Sequence, residues 1–277
     1  MLNPEQIMVF QRDGYLVLPD FKPAAELAAL CRRSREIVDA FEPGAQAAVF
    51  SSVQPERLAD AALLASAEAM HCFFEEEAFD AQGVLRQPKA VSINKIGHAL
   101  HDLDPVFEAF SHGPALAALA ADLGLVQPRI WQSQVIFKQP GIGGEVRWHQ
   151  DASFFVTEPQ TVTTFWFALE DATLANGCLW VQPGGHRSPL RECFVREGDR
   201  LSMRRLHDQP WPGTADAVAL EVPAGALVCF HGLLPHRSDA NRSAQSRLAY
   251  TLHVTDGAAC YSPKNWLQRS SLPLRGF

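Results

Sequence analysis

The sequence has no apolar run near the roughly 18 residues that would span a bilayer. Its start, MLNPEQIMVFQRDG, carries polar and acidic residues where a signal peptide would be continuously apolar. A cytoplasmic protein with no membrane partner is the expectation. There is no block of Lys and Arg either, and the formal charge is −7. Sequence-independent nucleic-acid binding needs a basic stripe that releases phosphate counterions, so that class is set aside. The 6 cysteines, at positions 31, 72, 178, 193, 229 and 260, show no C-x-x-C spacing. Free buried thiols in a reducing compartment are expected, in place of zinc or redox pairs. No Gly-rich phosphate cradle and no Ser-His-Asp nucleophile motif occurs, which leaves kinase and hydrolase readings without support. Repeats and low-complexity tracts are absent, and the ending Arg275-Gly276-Phe277 is not a peroxisomal S-K-L address.

What is present is ample material for a buried core: 47% of the 277 residues are apolar and 20% charged. Barrels and sandwiches of about this size are routinely undivided, so one domain over 1–277 is expected. Asn3-Pro4-Glu5 fits an N-cap and first turn for a helix ending near Gly14. A short strand at Tyr15 to Leu18 and a helix from about Pro23 to Phe41 follow. Residues 43 to 90 read as helical in places, with an Ala-rich, acidic stretch around Ala59 to Phe79 and no boundaries placed, and a further helix runs from about Pro105 to Leu123. From Arg129 the texture changes to short Val/Ile/Phe/Trp runs punctuated by Gly, Pro and Asn. Strands are expected near 130–138, 145–151, 162–170, 178–182, 218–222, 226–230, 235–238 and 247–254, the complement of a jelly roll. The fold class is therefore mainly β with flanking helices: a β core over about 129–256 and an α-rich part over about 1–125. The polar, Arg-rich stretch from Arg187 to Gly213 reads as a long excursion between strands.

His149-Gln150-Asp151 is an H-x-D triplet. In an extended segment, residues two apart share a face, so an imidazole and a carboxylate can grip one ion. His236, at the start of a late strand, can complete a set of two neutral imidazoles and one carboxylate. That set suits Fe(II) and leaves the opposite face of an octahedron open. A 2-oxo acid would fill two of the open positions and dioxygen the last. The second carboxylate of such a co-substrate calls for a guanidinium, and Arg247 in the following strand is placed to provide it. Taken alone the triplet is a weak signal; the order H-x-D, late His, then Arg is far more specific.

The chain resembles the phytanoyl-CoA dioxygenase family, most closely its phytanoyl-CoA dioxygenase domain-containing branch. The segments that carry the resemblance begin with Phe10-Gln11-Arg12-Asp13-Gly14-Tyr15 and Asn94-Lys95-Ile96-Gly97-His98. They continue through His149-Gln150-Asp151-Ala152-Ser153, Asn176-Gly177-Cys178-Leu179-Trp180 and Pro183-Gly184-Gly185-His186 to Ser246-Arg247, Tyr250-Thr251-Leu252-His253 and Asn265-Trp266-Leu267-Gln268. The resemblance implies a double-stranded β-helix (jelly roll, cupin-like) that uses Fe(II), 2-oxoglutarate and O2. It assigns iron to His149, Asp151 and His236, and the distal carboxylate of 2-oxoglutarate to Arg247. Lys95, Gln134, Trp166 and Ser246 match positions lining the co-substrate, with Gln134 standing where that branch has a methionine. The related halogenases lack the carboxylate ligand, so Asp151 favours hydroxylation of an unactivated carbon in a small molecule, with release of succinate and CO2. A non-catalytic 2-oxoglutarate or metal sensor and a zinc hydrolase on the same ligands are the alternatives.

His186 in its Pro-Gly-Gly-His turn reads as structural, and His231 as a packed histidine beside the site. His98 and His101 fit either the neighbourhood of Lys95 or the surface. Trp131, Trp148, Trp166 and Trp180 read mainly as core. The arginines at 187, 191, 196, 200, 204 and 205 suit either a mouth for an anionic substrate or a solvated loop.

Overall fold

The side chain of Asn3 accepts the Gln6 N–H while the side chain of Gln6 accepts the Asn3 N–H, a reciprocal cap that starts helix α1 (Pro4–Asp13). Such caps are worth about 1 kcal/mol. The computed structural model describes residues 2–43, 48–51 and 60–277. Gly14, at φ 80°, ends α1 in the left-handed conformation, and a Cβ there would also run into the His186 ring at 2.3 Å. Strand β1 (Tyr15–Leu18) and helix α2 (Ala24–Ala40) follow as expected.

Two expectations in the helical part need correction. The Ala-rich stretch around Ala59 to Phe79, in a region read as helical in places, holds a short helix, α3 (Asp60–Ala65), and then strand β2 (Met70–Phe74); Ala59 lies outside the described residues. The aromatic run Cys72-Phe73-Phe74 suits a buried pleat better than a helix. Strand β3 (Ile93–His98) pairs with it. Helix α4 (Leu100–Leu103) follows, and the helix expected up to Leu123 is two, α5 (Pro105–Ser111) and α6 (Pro114–Asp122). Pro114 has no N–H to continue α5 and pushes Gly113 out of helical geometry, so the chain breaks there.

The rest is β: β4 (Pro128–Lys138), β5 (Val146–His149), β6 (Thr157–Glu158), β7 (Thr163–Ala168) and β8 (Leu179–Val181). Then come β9 (Glu192–Glu197), β10 (Arg200–Arg205), β11 (Val218–Leu220), β12 (Leu227–His231), β13 (His236–Ser238), β14 (Arg247–Asp256) and β15 (Cys260–Tyr261). A seven-stranded sheet runs β1-β12-β7-β14-β4-β3-β2, and a four-stranded sheet runs β11-β8-β13-β5. The eight strands expected from Arg129 onward are all present. In chain order they pass between the sheets at every step but one, β8 and β11 both lying in the small sheet: β4, β7, β12 and β14 form the large side and β5, β8, β11 and β13 the small one, which is the double-stranded β-helix.

Alternation along the large sheet divides the core. Phe165, Phe167, Cys229, Tyr250 and Leu252 meet the helices, with Leu30, Phe107, Phe110 and Leu119. Trp166, Ala168, Val228, Phe230 and Ala249 face the small sheet, with Leu179, Val181 and Leu220. Both faces are covered, so β7 and β14 are buried throughout. A third cluster, including Phe73, Trp131, Phe155 and Trp266, has Phe154, Phe194 and Leu201 at its edge.

The stretch read as a long excursion contains an ordered hairpin. Strands β9 and β10 pair from Arg200↔Glu197 to Arg205↔Glu192 around Gly198, at φ 65°. Three of its four arginines are engaged by carboxylates of the same region: Arg204 with Glu197, Arg205 with Asp208 at 3.3 Å and Arg196 with Asp199 at 3.8 Å. All six cysteines are unpaired, and Cys72, Cys178 and Cys229 are the buried ones. Among the described residues, no helix is long and apolar enough to cross a membrane.

Candidate active site

Strands β5 and β13 pair with His149 opposite His236, which sets the two rings 4.1 Å apart between centroids. Each ring is fixed from behind. His149 Nδ1 lies 2.8 Å from the Arg147 carbonyl and His236 Nδ1 3.0 Å from the Leu234 carbonyl. A carbonyl can only accept, so both Nδ1 atoms carry the proton and both Nε2 lone pairs are free. Burial holds the His236 imidazole down to about 4, with the neighbouring His149 acting the same way and Asp151 opposing. The ring is therefore neutral near pH 7, as a metal ligand must be.

Asp151 is not in the strand, as a simple two-residue alternation would have it. Gln150 is extended, and Asp151 opens a 3-10 turn, Asp151–Ser153, that swings its carboxylate under the two rings. Asp151 Oδ1 lies 3.5 Å from His149 Nε2 and 3.6 Å from His236 Nε2. The donor atoms of His149, Asp151 and His236 all fall within 4.8 Å of one another. An ion with bonds of roughly 2.1 Å would hold neighbouring donors roughly 3 Å apart, so the set closes on a metal with little movement. Burial works to raise the Asp151 pKa, but His236 and His253 outweigh it, and the carboxyl sits well below its ordinary value. Gln150, between the two ligands, ties the segment down: its Nε2 donates to the carbonyls of Leu233 and Pro189, and its Oε1 accepts the Arg191 N–H.

Across the interior, the large sheet presents a polar row. Thr251 on β14 stands between Gln134 on β4 and Trp166 on β7. Gln134 Oε1 and Thr251 Oγ1 are buried without a partner. At the start of β14, Arg247 is 2% exposed; its Nη2 donates to the Gly177 carbonyl at 3.1 Å, while Nε and Nη1 have no partner. Its guanidinium lies 5.5 Å from the Trp166 ring centre, and burial lowers its pKa to about 10. A buried cation with two idle N–H groups is costly unless an anion arrives. The cradle therefore suits the far carboxylate of a 2-oxo diacid, as the donor triad suits Fe(II). Lys95 on β3 is buried, with Nζ 3.2 Å from the Phe50 ring centre, and burial pushes its pKa to about 7 against the pull of Glu75. Ser246 is engaged differently: its hydroxyl donates to Glu170, which also accepts the Leu248 N–H, so it secures the start of the Arg247 strand.

A family model described as phytanoyl-CoA dioxygenase (PhyH) matches residues 10–249. A protein named phytanoyl-CoA dioxygenase from Arabidopsis thaliana is 43% identical over 275 residues, covering 98% of this chain and 95% of that one. The chain belongs to the phytanoyl-CoA dioxygenase family. A second relative, phytanoyl-CoA dioxygenase domain-containing protein 1 of Bos taurus, is 44% identical over 276 residues, covering 96% of this chain and 95% of that protein. Among solved structures, the non-heme alpha-ketoglutarate-dependent carbocyclase SnoK from nogalamycin biosynthesis aligns with a TM-score of 0.66 at 19% identity, over 99% of this chain and 96% of its own. EctD from S. alaskensis with 2-oxoglutarate and 5-hydroxyectoine aligns with a TM-score of 0.62 at 21% identity, over 98% and 82%. The resemblance carried by the sequence motifs is thus borne out, and the jelly roll is shared with oxygenases at low identity.

The remaining histidines sort themselves within this phytanoyl-CoA dioxygenase fold. His98 and His101 are buried, not on the surface; His98 bonds Ser66 at 2.8 Å and His101 bonds Ser133 at 2.8 Å. His186 and His231 pack together with centroids 5.4 Å apart, and His186 reaches the Gln11 carbonyl, so neither joins the donor group. Trp131 stacks on Tyr261 at 3.5 Å and 8°. Polar residues around the site were missed, Thr164, Thr251, His253 and Glu75 among them. His253 approaches Asp151 at 3.4 Å, and Glu75 is a buried carboxylate held by Asn94 and the Gly144 N–H, with Oε1 unpartnered. His253 had a signal, since 247, 249, 251 and 253 share one face of an alternating strand.

Proposed function

We propose that this protein is an Fe(II)- and 2-oxoglutarate-dependent dioxygenase, a single domain over 1–277, that hydroxylates an unactivated carbon of a small molecule. The observation that supports this most directly is the convergence of His149, Asp151 and His236 opposite an idle buried guanidinium, Arg247. Bound together, the iron and the 2-oxo acid supply the oxidising chemistry, with dioxygen consumed and succinate and carbon dioxide released. Everything else falls to the chain. His149 and His236 present Nε2 because their Nδ1 protons are given to backbone carbonyls, and Asp151 presents Oδ1. Arg247 grips the far carboxylate through its unpartnered N–H groups, while Trp166 flanks it, Lys95 and Gln134 complete that end, and Ser246, bonded to Glu170, holds the start of the strand that carries Arg247. Phe154, edge-on to His149 at 6.3 Å, and Phe194, at 5.6 Å from Phe154, shield the approach from water. Carboxylate ligation at Asp151 leaves no room for a halide, which favours hydroxylation.

The test is anaerobic loading with Fe(II) and 2-oxoglutarate, then exposure to oxygen across a library of small molecules while succinate is measured. Substrate-stimulated succinate that iron restores and zinc does not is the expected result. Binding of 2-oxoglutarate without any turnover would turn the protein into a sensor, and activity restored by zinc would make it a hydrolase.

A further inference from the structure

The two oxygens of Asp151 have different surroundings. Oδ1 faces the imidazole Nε2 atoms of His149 and His236 at 3.5 and 3.6 Å. Oδ2 accepts the Thr164 hydroxyl at 2.5 Å and lies 3.4 Å from His253 Nε2. Thr164 and His253 stand opposite each other on β7 and β14, so both come from the buried sheet. His253 is pinned by the Phe155 ring, stacked at 5.0 Å and 24°, and Phe155 lies just past the turn that Asp151 opens. His253 is also unlike the other two histidines: its Nδ1 is buried with no carbonyl behind it, and it stands outside the donor group.

A carboxylate can bind an ion through one oxygen or through both, and the second mode uses up another coordination position. Resting on the function proposed above, we infer that Thr164 and His253 are positioning residues that keep Asp151 to one-oxygen ligation. The two donors occupy Oδ2, and only Oδ1 is left to turn toward the histidines. An octahedral ion held in this way would keep three positions open, enough for a 2-oxo acid and dioxygen. Without the donors, Oδ2 is free to swing onto the ion and compete with the 2-oxo acid.

The metal-free protein loaded with Co(II) and titrated anaerobically with 2-oxoglutarate tests this, read by calorimetry and by the visible absorption of Co(II). In Thr164→Val and His253→Leu, Co(II) affinity should stay within about threefold of the native value or tighten, while 2-oxoglutarate affinity falls about tenfold or more. The Co(II) spectrum of both variants should differ from the native one before any 2-oxoglutarate is added. Thr164→Ser and His253→Gln each keep a donor and should restore binding. Unchanged 2-oxoglutarate affinity in both apolar variants would overturn the inference, as would equal losses of Co(II) and 2-oxoglutarate, or donor-bearing variants no better than apolar ones. If the native Co(II) protein takes up no 2-oxoglutarate, the proposed function fails and takes this inference with it. If the native protein binds and the apolar variants match it, only the positioning role fails.

Discussion

Strands β5 and β13 are 4 and 3 residues long and partly exposed, whereas β7 and β14, at 6 and 10 residues, are buried at every position. The two metal-facing histidines sit on the short strands, and the arginine that awaits a carboxylate sits on the long ones. In the small sheet the ladder is too brief to fix a side chain, so the histidines are aimed by their own Nδ1 bonds and by Gln150. In the large sheet the ladder and the helices behind it do the fixing, and polar groups there can be left idle without the strand moving. Chemistry and stability should therefore respond to different substitutions.

The sharpest way to break that contrast is His149→Ala, which should lower succinate formation by on the order of a thousandfold. Urea unfolding of the metal-free protein should show a loss of no more than about 1 kcal/mol, because the side chain is 21% exposed and lies on the small sheet. A parallel collapse of stability would erase the distinction. On the large sheet, Arg247→Met should weaken 2-oxoglutarate binding by roughly 2–5 kcal/mol in a calorimetric titration. The same change should stabilise the ligand-free protein by on the order of 1 kcal/mol, since an uncompensated buried charge is removed.

Acid tests the buried histidines of both sides together, His236 included. Burial holds His231 down to about 4 and His98 and His101 well below the ordinary histidine value. Between about pH 6.5 and about 4 the unfolded chain takes up protons that these rings refuse, so stability is lost as pH falls through that window. His231 alone contributes up to about 3 kcal/mol, and a denaturation midpoint flat from pH 7 to 4 in the metal-free protein would contradict this. The smallest effect is expected from Ser246→Ala: about 1 kcal/mol or less in unfolding, with 2-oxoglutarate affinity nearly native, because the hydroxyl is engaged by Glu170.

The eight strands of the β-helix were legible because most are short apolar runs set off by Gly, Pro or Asn, though β13 is His-Arg-Ser. The order His149, Asp151, His236, Arg247 was legible because chemistry demands those residue types. The hairpin of β9 and β10 was not, since its many charges mask the alternation and its pairing is satisfied by ion pairs within the same region. Strands β2 and β3 were hidden in an Ala-rich, acidic context, and their pairing is non-local. Glu75 and Asn94 become neighbours only through that pairing, so nothing in the sequence marks Glu75 as the partner of Asn94. Asp151 was read as a strand residue because one-letter spacing cannot distinguish an alternating strand from a turn that begins one residue later.

β1 closes the flank of β12, from Tyr15↔Phe230 to Leu18↔Leu227, and the Gly14 carbonyl adds a bond from the His231 N–H. These residues cover the edge of a strand that is apolar from Leu227 to Phe230. Trimming the chain past Leu18 would bare a flat row of unpaired amides and carbonyls, which another copy could dock against. Shortened versions should accordingly self-associate through that side even with every ligand residue intact.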